Sequence, residues 1–117
     1  MSLGWVASLR NSARGLRDAA RRERPVRQEI AALALAVALA PLLARSAAHG
    51  LVLVGAVLVT LVVELLNAAI ETVCDRITTE RDDHVRLAKD YGSAAVTLSI
   101  LLGLSVWAEA AWAALVR

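Results

Sequence analysis

Three stretches of the chain contain no charged residue, and short charged segments separate them. The uncharged stretches cover residues 30–44, 46–63 and 91–108. A helix needs about 20 predominantly apolar residues to cross the hydrocarbon core of a bilayer. The first stretch is short against this length and, taken alone, is also typical of a buried soluble helix, but its two longer neighbours favour a membrane. The pattern therefore predicts an all-α membrane protein with three transmembrane helices.

The bounds of these helices follow from the residues that flank the uncharged stretches. Residues 26–44 are predicted to form the first spanning helix, and Pro25 ends the preceding segment or opens this helix, since proline is tolerated in a first turn. Residues 47–79 are predicted to form the second spanning helix with a polar cytoplasmic extension. Residues 91–116 are predicted to form the third.

Two side-chain patterns in the third predicted span bear on its surroundings. Trp107 and Trp112 suit an aromatic belt at the membrane–water interface. Ala95, Ser99 and Gly103 follow one another at four-residue spacing, and such a stripe of small residues lets helices approach closely. Glu64 in the second span also needs a protein-lined environment. We therefore expect an obligate homo-oligomer, and packing within one protomer is the alternative explanation of the stripe alone.

The segment before the first span, residues 5–24, has the pattern of an amphipathic helix on the membrane surface. Its apolar residues recur at helical spacing: Trp5, Val6, Leu9, Ala13, Leu16 and Ala20. Arginines occupy the opposite and flanking faces: Arg10, Arg14, Arg17 and Arg21. Attraction to anionic lipid headgroups explains these arginines.

Composition agrees with a membrane protein and excludes several other classes. Of 117 residues, 58% are hydrophobic and 21% charged, against about 45–50% and about 25% in soluble domains. This length allows one domain, residues 1–117. A soluble enzyme and a disordered tail are poor fits, and the single cysteine, Cys74, excludes an intrachain disulfide. The net charge is only +2, and basic residues flank apolar segments, so no nucleic-acid partner is expected.

The distribution of basic residues predicts the orientation. Seven arginines precede the first uncharged stretch, and four basic residues lie between the second and third stretches: Arg76, Arg81, Arg86 and Lys89. The opposite side has only Arg45 and Arg117. By the positive-inside rule, the N-terminus and residues 72–90 are cytoplasmic, and residues 45–49 and the C-terminus lie outside.

Polar residues in the second span point to chemistry. Glu64, Asn67, Glu71 and Asp75 are spaced three, four and four apart, so they share one face of a helix. Glu64 lies in the inner half of the bilayer, where a carboxylate is costly and marks a functional site by default. A structural polar contact between helices is the alternative. The stripe favours either ion handling or metal-assisted phosphoryl transfer.

The charged segment after the second span is a candidate nucleotide site. In this loop, Lys89 can neutralise phosphate, and the acids Glu80, Asp82 and Asp90 can bind magnesium or ribose hydroxyls. A solvated loop has similar composition. The six glycines form neither a Walker A sequence nor a G-x-G-x-x-G motif.

Two motifs carry a resemblance to a known family. The run from Glu64 to Arg76, ELLNAAIETVCDR, and the run from Ala88 to Val96, AKDYGSAAV, strongly resemble the prokaryotic diacylglycerol kinases. Further matching positions near the N-terminus are Arg14, Arg17, Glu23, Arg27 and Glu29. The resemblance covers essentially the whole chain.

This resemblance implies a fold and a reaction. The fold is a homotrimer whose protomers each have three transmembrane helices and an amphipathic surface helix, with active sites shared between protomers. It implies residence in the bacterial inner membrane with a cytoplasmic N-terminus. The reaction moves the γ-phosphoryl group of Mg-ATP to the primary hydroxyl of 1,2-diacylglycerol, giving phosphatidic acid.

The resemblance also implies residue roles. Glu64 resembles the general base and Asn67 a supporting polar group, whereas Glu23 and Glu71 resemble the Mg²⁺-binding carboxylates. ATP contacts are implied for Asn11, Glu23, Glu71, Glu80, Arg81, Asp82, Lys89 and Asp90. Contacts to the lipid substrate are implied for Arg17, Arg27, Glu29, Glu64 and Ser93.

Three alternatives remain open from the sequence. Undecaprenol kinases share the motif and differ in the acceptor lipid. A small proton-coupled exporter also has an intramembrane glutamate, but it needs about four spans with the acid mid-membrane. A non-catalytic assembly protein leaves Glu23, Lys89 and Asp90 without a purpose.

Overall fold

The computed structural model describes residues 4–117 and is built from helices. In chain order these are α1 (Gly4–Arg22), α2 (Arg24–Leu43), α3 (Ala47–Ile77) and α4 (Asp83–Leu115). Helices α2, α3 and α4 are long and apolar enough to cross a membrane. The prediction of an all-α protein with three candidate spans is confirmed.

Side chains at the helix starts fix the connections. Pro25 lies in the first turn of α2, where its missing N–H breaks no helical hydrogen bond. The Ser46 hydroxyl caps α3 by accepting from the His49 backbone N–H at 3.0 Å. The Asp82 carboxylate caps α4 by accepting from the Val85 backbone N–H at 3.0 Å. Each cap satisfies a donor that a helix start leaves unpaired.

Helix α4 starts eight residues before the predicted third span, at Asp83 instead of residue 91. The prediction that Lys89 and Asp90 belong to a loop is therefore wrong, because they are the seventh and eighth residues of α4. Residues 83–90 extend the apolar helix at its N-terminal end without a break. Asp82 caps this extension, and none of residues 83–90 is a proline or a glycine. Only residues 78–82 connect α3 to α4.

Helix α3 is the centre of the packing. It lies between α2 and α4, and α1 packs against α2 and α3. Across residues 4–117, α1 makes no contact with α4. A small core joins Ala40, Leu53 and Ala110, and the Trp107 indole donates to the Leu53 carbonyl at 2.9 Å.

This packing bears on two expectations for the third span. Trp107 packs against α3, where its indole N–H donates to the Leu53 carbonyl, whereas Trp112 is 67% exposed. The interfacial belt stays a prediction. Of the small-residue stripe, Ser99 is buried and Gly103 approaches the Ala56 carbonyl of α3, but Ala95 is exposed. Part of the stripe thus serves packing within one chain.

An ion pair closes the opposite end of the bundle from the polar stripe. The Arg45 guanidinium donates to both oxygens of Glu109, at 2.8 and 2.9 Å. This hydrogen bond raises the pKa of Arg45, so the guanidinium stays charged. The pair ties the α2–α3 connection to the last turns of α4.

Candidate functional site

The predicted stripe lies along the second half of α3, as its helical spacing requires. Glu64, Asn67 and Glu71 are half-buried, and Asp75 is exposed. The Asn67 amide Nδ2 donates to Glu71 Oε1 at 3.4 Å, a long hydrogen bond that orients the two side chains along the stripe. One helix face therefore carries a polar track from the apolar part of the bundle to its polar end.

Further carboxylates approach this track from other elements. Glu29 lies on α2, and Glu23 occupies the corner between α1 and α2. Glu29, Glu71 and Glu23 all lie near enough to Glu64 for their charges to act on it. The structure thus brings together four acids that the sequence places up to 48 residues apart.

Asn67 packs closely against a glycine of the neighbouring helix. A Cβ at Gly92 of α4 would collide with Asn67 Oδ1 and come within 3.2 Å of Asn67 Cγ. Asn67 Oδ1 is buried and accepts no hydrogen bond from the described residues. A buried amide oxygen without a donor is costly, so this atom is available to a ligand or water.

Lys89 reaches back from α4 to the same stripe. Its ammonium lies 2.8 Å from Asp75 Oδ1, and the charge of Glu71 also acts on it. The neighbouring Asp90 accepts from Arg86 at 2.9 Å, one turn earlier on α4. Lys89 therefore joins the stripe, whereas Asp90 pairs on its own helix.

Other predicted nucleotide residues lie apart from this cluster. Asn11 is exposed on α1 and accepts from Arg14 at 3.0 Å. Glu80 and Arg81 are exposed in the α3–α4 connection, and the Asp82 carboxylate is used as the cap of α4. Because α1 does not contact α4 within this chain, one copy does not place Asn11 beside Lys89.

The predicted lipid contacts are also dispersed, apart from Glu29 and Glu64. Arg27 donates to the backbone carbonyls of Ala20 and Arg21, both at 3.1 Å, and so ties the α1–α2 corner. Arg17 is exposed on α1, and Ser93 is exposed on α4.

Two grooves adjoin the acidic cluster. The first, about 600 Å³, lies between α1 and α3, and its lining includes Asp18, Arg22, Glu23 and Thr72. The second, about 360 Å³, is mainly apolar and runs between α2, α3 and α4 from Glu29 toward Trp107. Both grooves are lined mainly by apolar surface, and each includes one of the carboxylates, Glu23 in the first and Glu29 in the second.

The number and chemistry of the acids decide what kind of metal site they can form. Within residues 4–117, no three His, Cys, Asp or Glu side chains lie close enough to hold a metal ion by themselves. Mg²⁺ is usually held by one or two carboxylates together with substrate phosphates and water. The donor set therefore fits a magnesium ion that arrives with a nucleotide, and it does not fit a resident ion in an all-protein cage.

Sequence reasoning assigned no role to two residues of this site. Asp75 was recognised as a member of the stripe, and its four-residue spacing from Glu71 is the signal for its position. Its pairing with Lys89 depends on how α3 and α4 align. The contact of Gly92 with Asn67 likewise has no signal in the sequence other than the glycine itself.

Comparisons with known proteins point in one direction. A family model described as "Prokaryotic diacylglycerol kinase" matches residues 10–110. The "Diacylglycerol kinase" of Escherichia coli K12 is 41% identical over 101 residues, which is 86% of this chain and 83% of that protein. The "Diacylglycerol kinase" of Haemophilus influenzae is 34% identical over 102 residues, 87% of this chain and 86% of that protein. That of Pseudomonas aeruginosa is 35% identical over 97 residues, 83% and 79%.

Proposed function

The chain belongs to the prokaryotic diacylglycerol kinase family. We propose that the acidic cluster formed by Glu23, Glu29, Glu64 and Glu71 is its phosphoryl-transfer site. The protein is an ATP-dependent lipid kinase of the membrane, and its reaction converts diacylglycerol to phosphatidic acid. The names of its relatives favour diacylglycerol over undecaprenol as the acceptor. Residues 4–117 contain three candidate spans, whereas a small proton-coupled exporter needs about four.

One observation carries the assignment of the site. Glu64 lies in an otherwise apolar span, and three further carboxylates act on it from α2, α3 and the α1–α2 corner. Negative charges converge in this way where a cation must be held, because side chains of one sign otherwise repel. A purely structural contact needs no such convergence.

Glu64 is the general base of this proposal. A primary alcohol is a poor nucleophile, so a carboxylate must accept its proton as the new O–P bond forms. The bond between the γ-phosphorus and the bridging oxygen breaks in the same step, and ADP leaves. Asn67 supports the reacting groups in this proposal, and its unpartnered Oδ1 and its bond to Glu71 support that role.

Glu71 and Glu23 are the carboxylates proposed to hold Mg²⁺. When bound with ATP, this ion supplies positive charge that offsets the charge of the transferring phosphoryl oxygens. Glu71 follows Glu64 by seven residues, or about 10 Å along the helix, toward the polar end. This depth separates the lipid hydroxyl, which reaches Glu64, from the nucleotide, which approaches from water.

The nucleotide contacts favour a site shared between copies. Lys89 already contacts Asp75 of the stripe, whereas Asn11, Glu80 and Arg81 lie away from the cluster in one chain. In a homotrimer, a neighbouring copy supplies these residues together with Asp82 and Asp90. The exposed Ala95 on α4 offers a small-residue surface for that neighbour.

The surroundings of the site complete the proposal. Helix α1 exposes Trp5, Leu9 and Leu16, which suits a helix on the membrane surface. The distribution of the basic residues supports a cytoplasmic N-terminus, and the bacterial relatives support residence in the inner membrane. Diacylglycerol reaches Glu64 beside the apolar groove near Glu29. Arg17, Arg27 and Ser93 contact its polar part.

The substitution Glu64→Gln tests the site. It removes the proton acceptor but keeps the shape, so Mg-ATP affinity is expected to stay and turnover to fall about 10²–10⁴-fold. Phosphoryl transfer to diacylglycerol and equilibrium binding of Mg-ATP are measured side by side. Glu109→Gln, which changes a carboxylate at the other end of the bundle, is the matched control and keeps turnover. An equal loss of nucleotide affinity in Glu64→Gln would reassign Glu64 to metal binding.

A further inference from the structure

Asp75 is the last member of the polar stripe and has no part in the transfer described above. Its carboxylate Oδ1 lies 2.8 Å from the ammonium of Lys89, which is 14 residues later on α4. The pair links the polar ends of the two helices, just before the connection formed by residues 78–82. Asp75 follows Glu71 by four residues on the same helix face, so the pair lies near this proposed metal ligand.

Folding alone does not explain this pair. The side chains of Lys89 and Asp75 are 39% and 63% exposed, and ion pairs this exposed contribute little to stability. The helices are already joined by a short connection, and Asp82 caps α4 independently. The contact therefore has more influence on the position of the Lys89 ammonium than on the fold.

The geometry leaves Lys89 able to bind phosphate. An ammonium group has three donors, so one bond to Asp75 leaves two for phosphate oxygens. A lysine side chain is flexible and must be ordered when it binds, unless a partner already orders it. Asp75 follows Glu71 by four residues on the same face of α3, so the ordered ammonium lies at the end of the stripe where the nucleotide phosphates are expected.

We propose that Asp75 is a positioning residue that holds the Lys89 ammonium at the polar end of the stripe, with two N–H donors free for the phosphates of ATP. This inference rests on the role proposed for Lys89 in the phosphoryl-transfer site. Asp75 itself touches neither substrate. It acts through Lys89 by ordering its side chain before the nucleotide binds.

Replacing the carboxylate by an amide tests this role. In Asp75→Asn, kcat/KM for Mg-ATP and its equilibrium affinity are expected to fall about three- to tenfold, the usual effect of ordering one long side chain upon binding. The KM for diacylglycerol stays unchanged, since Lys89 does not contact the lipid. Asp75→Glu keeps the charge and restores part of the loss. Asp83→Asn, at the exposed start of α4, is the matched control and changes neither parameter.

A second background separates positioning from a structural role. In Lys89→Met, the further change Asp75→Asn is expected to leave Mg-ATP affinity unaltered, because the residue acts only through Lys89. The proposal is overturned if Asp75→Asn leaves Mg-ATP affinity unchanged, or weakens it by the same factor with and without Lys89. It is also overturned if the KM values for both substrates rise together. If Lys89→Met alone retains full Mg-ATP affinity and turnover, the proposed role of Lys89 fails as well.

Discussion

The contact between Gly92 and Asn67 makes the substitution Gly92→Ala a sensitive probe of the site. An added Cβ would collide with Asn67 Oδ1 and lie within 3.2 Å of Asn67 Cγ and 3.6 Å of Ile70 Cδ1. The obstructing atom is the end of a side chain, so Asn67 rotates away while the backbones of α3 and α4 stay in place. Its hydrogen bond to Glu71, already 3.4 Å long, is then lost.

The stability change is expected to be small because two effects oppose each other. Moving Asn67 off its rotamer costs about 0.5–1.5 kcal/mol. Alanine is more favourable than glycine inside a helix by about 1 kcal/mol, and Gly92 lies within α4. The free energy of unfolding therefore changes by no more than about 1 kcal/mol.

The effect on catalysis is expected to be much larger. A misplacement of about 1 Å in a positioning group can reduce the rate about 10²-fold. We expect turnover of Gly92→Ala to fall by about this factor in mixed micelles, while the thermal unfolding temperature stays near that of the unsubstituted protein. The rate of phosphoryl transfer to diacylglycerol and circular dichroism on heating measure the two quantities.

Two further variants show whether Asn67 transmits the effect. Gly103→Ala, on the same helix, meets only the Ala56 carbonyl at 3.9 Å, so its turnover stays normal. In an Asn67→Ala background the obstructing atom is gone, and Gly92→Ala adds no further loss. Full turnover in Gly92→Ala, or the same loss with and without Asn67, would refute the reasoning.

Three further predictions concern the metal, the orientation and the assembly. Glu23→Gln and Glu71→Gln are each expected to raise the Mg²⁺ concentration needed for half-maximal rate. The loss of activity in the double variant is expected to be much smaller than the sum of the two single losses. An unchanged Mg²⁺ dependence in Glu23→Gln would remove Glu23 from the site. In a variant that combines His84→Cys with Cys74→Ala, the new cysteine is expected to be labelled from the cytoplasm only. Labelling from outside would contradict the predicted orientation. Native mass spectrometry in mild detergent shows trimers, whereas fully active monomers contradict a shared site.

The spans and the stripe were predictable because each depends on local sequence. An uncharged run long enough to cross a bilayer forms a helix almost regardless of its neighbours. The spacing of Glu64, Asn67 and Glu71 fixes one helix face once the segment is helical. These are the parts of the account in which the sequence and the structure agree.

Features that depend on how helices align were not predictable. The start of α4 at Asp83 was missed because a charged segment resembles a loop, although the Asp82 cap allows it to be helical. The bond from Trp107 to the Leu53 carbonyl and the Lys89–Asp75 pair join residues from different helices. Their partners follow from the α3–α4 packing, which local patterns do not specify.

The central claim is that this chain transfers the γ-phosphoryl group of ATP to diacylglycerol through Glu64. The most direct measurement offers γ-labelled ATP and Mg²⁺ to the purified protein in detergent micelles that contain either diacylglycerol or undecaprenol. The account predicts labelled phosphatidic acid, little or no labelled undecaprenyl phosphate, and loss of the product in Glu64→Gln. Preferential labelling of undecaprenol, or undiminished labelling of diacylglycerol by Glu64→Gln, would contradict it.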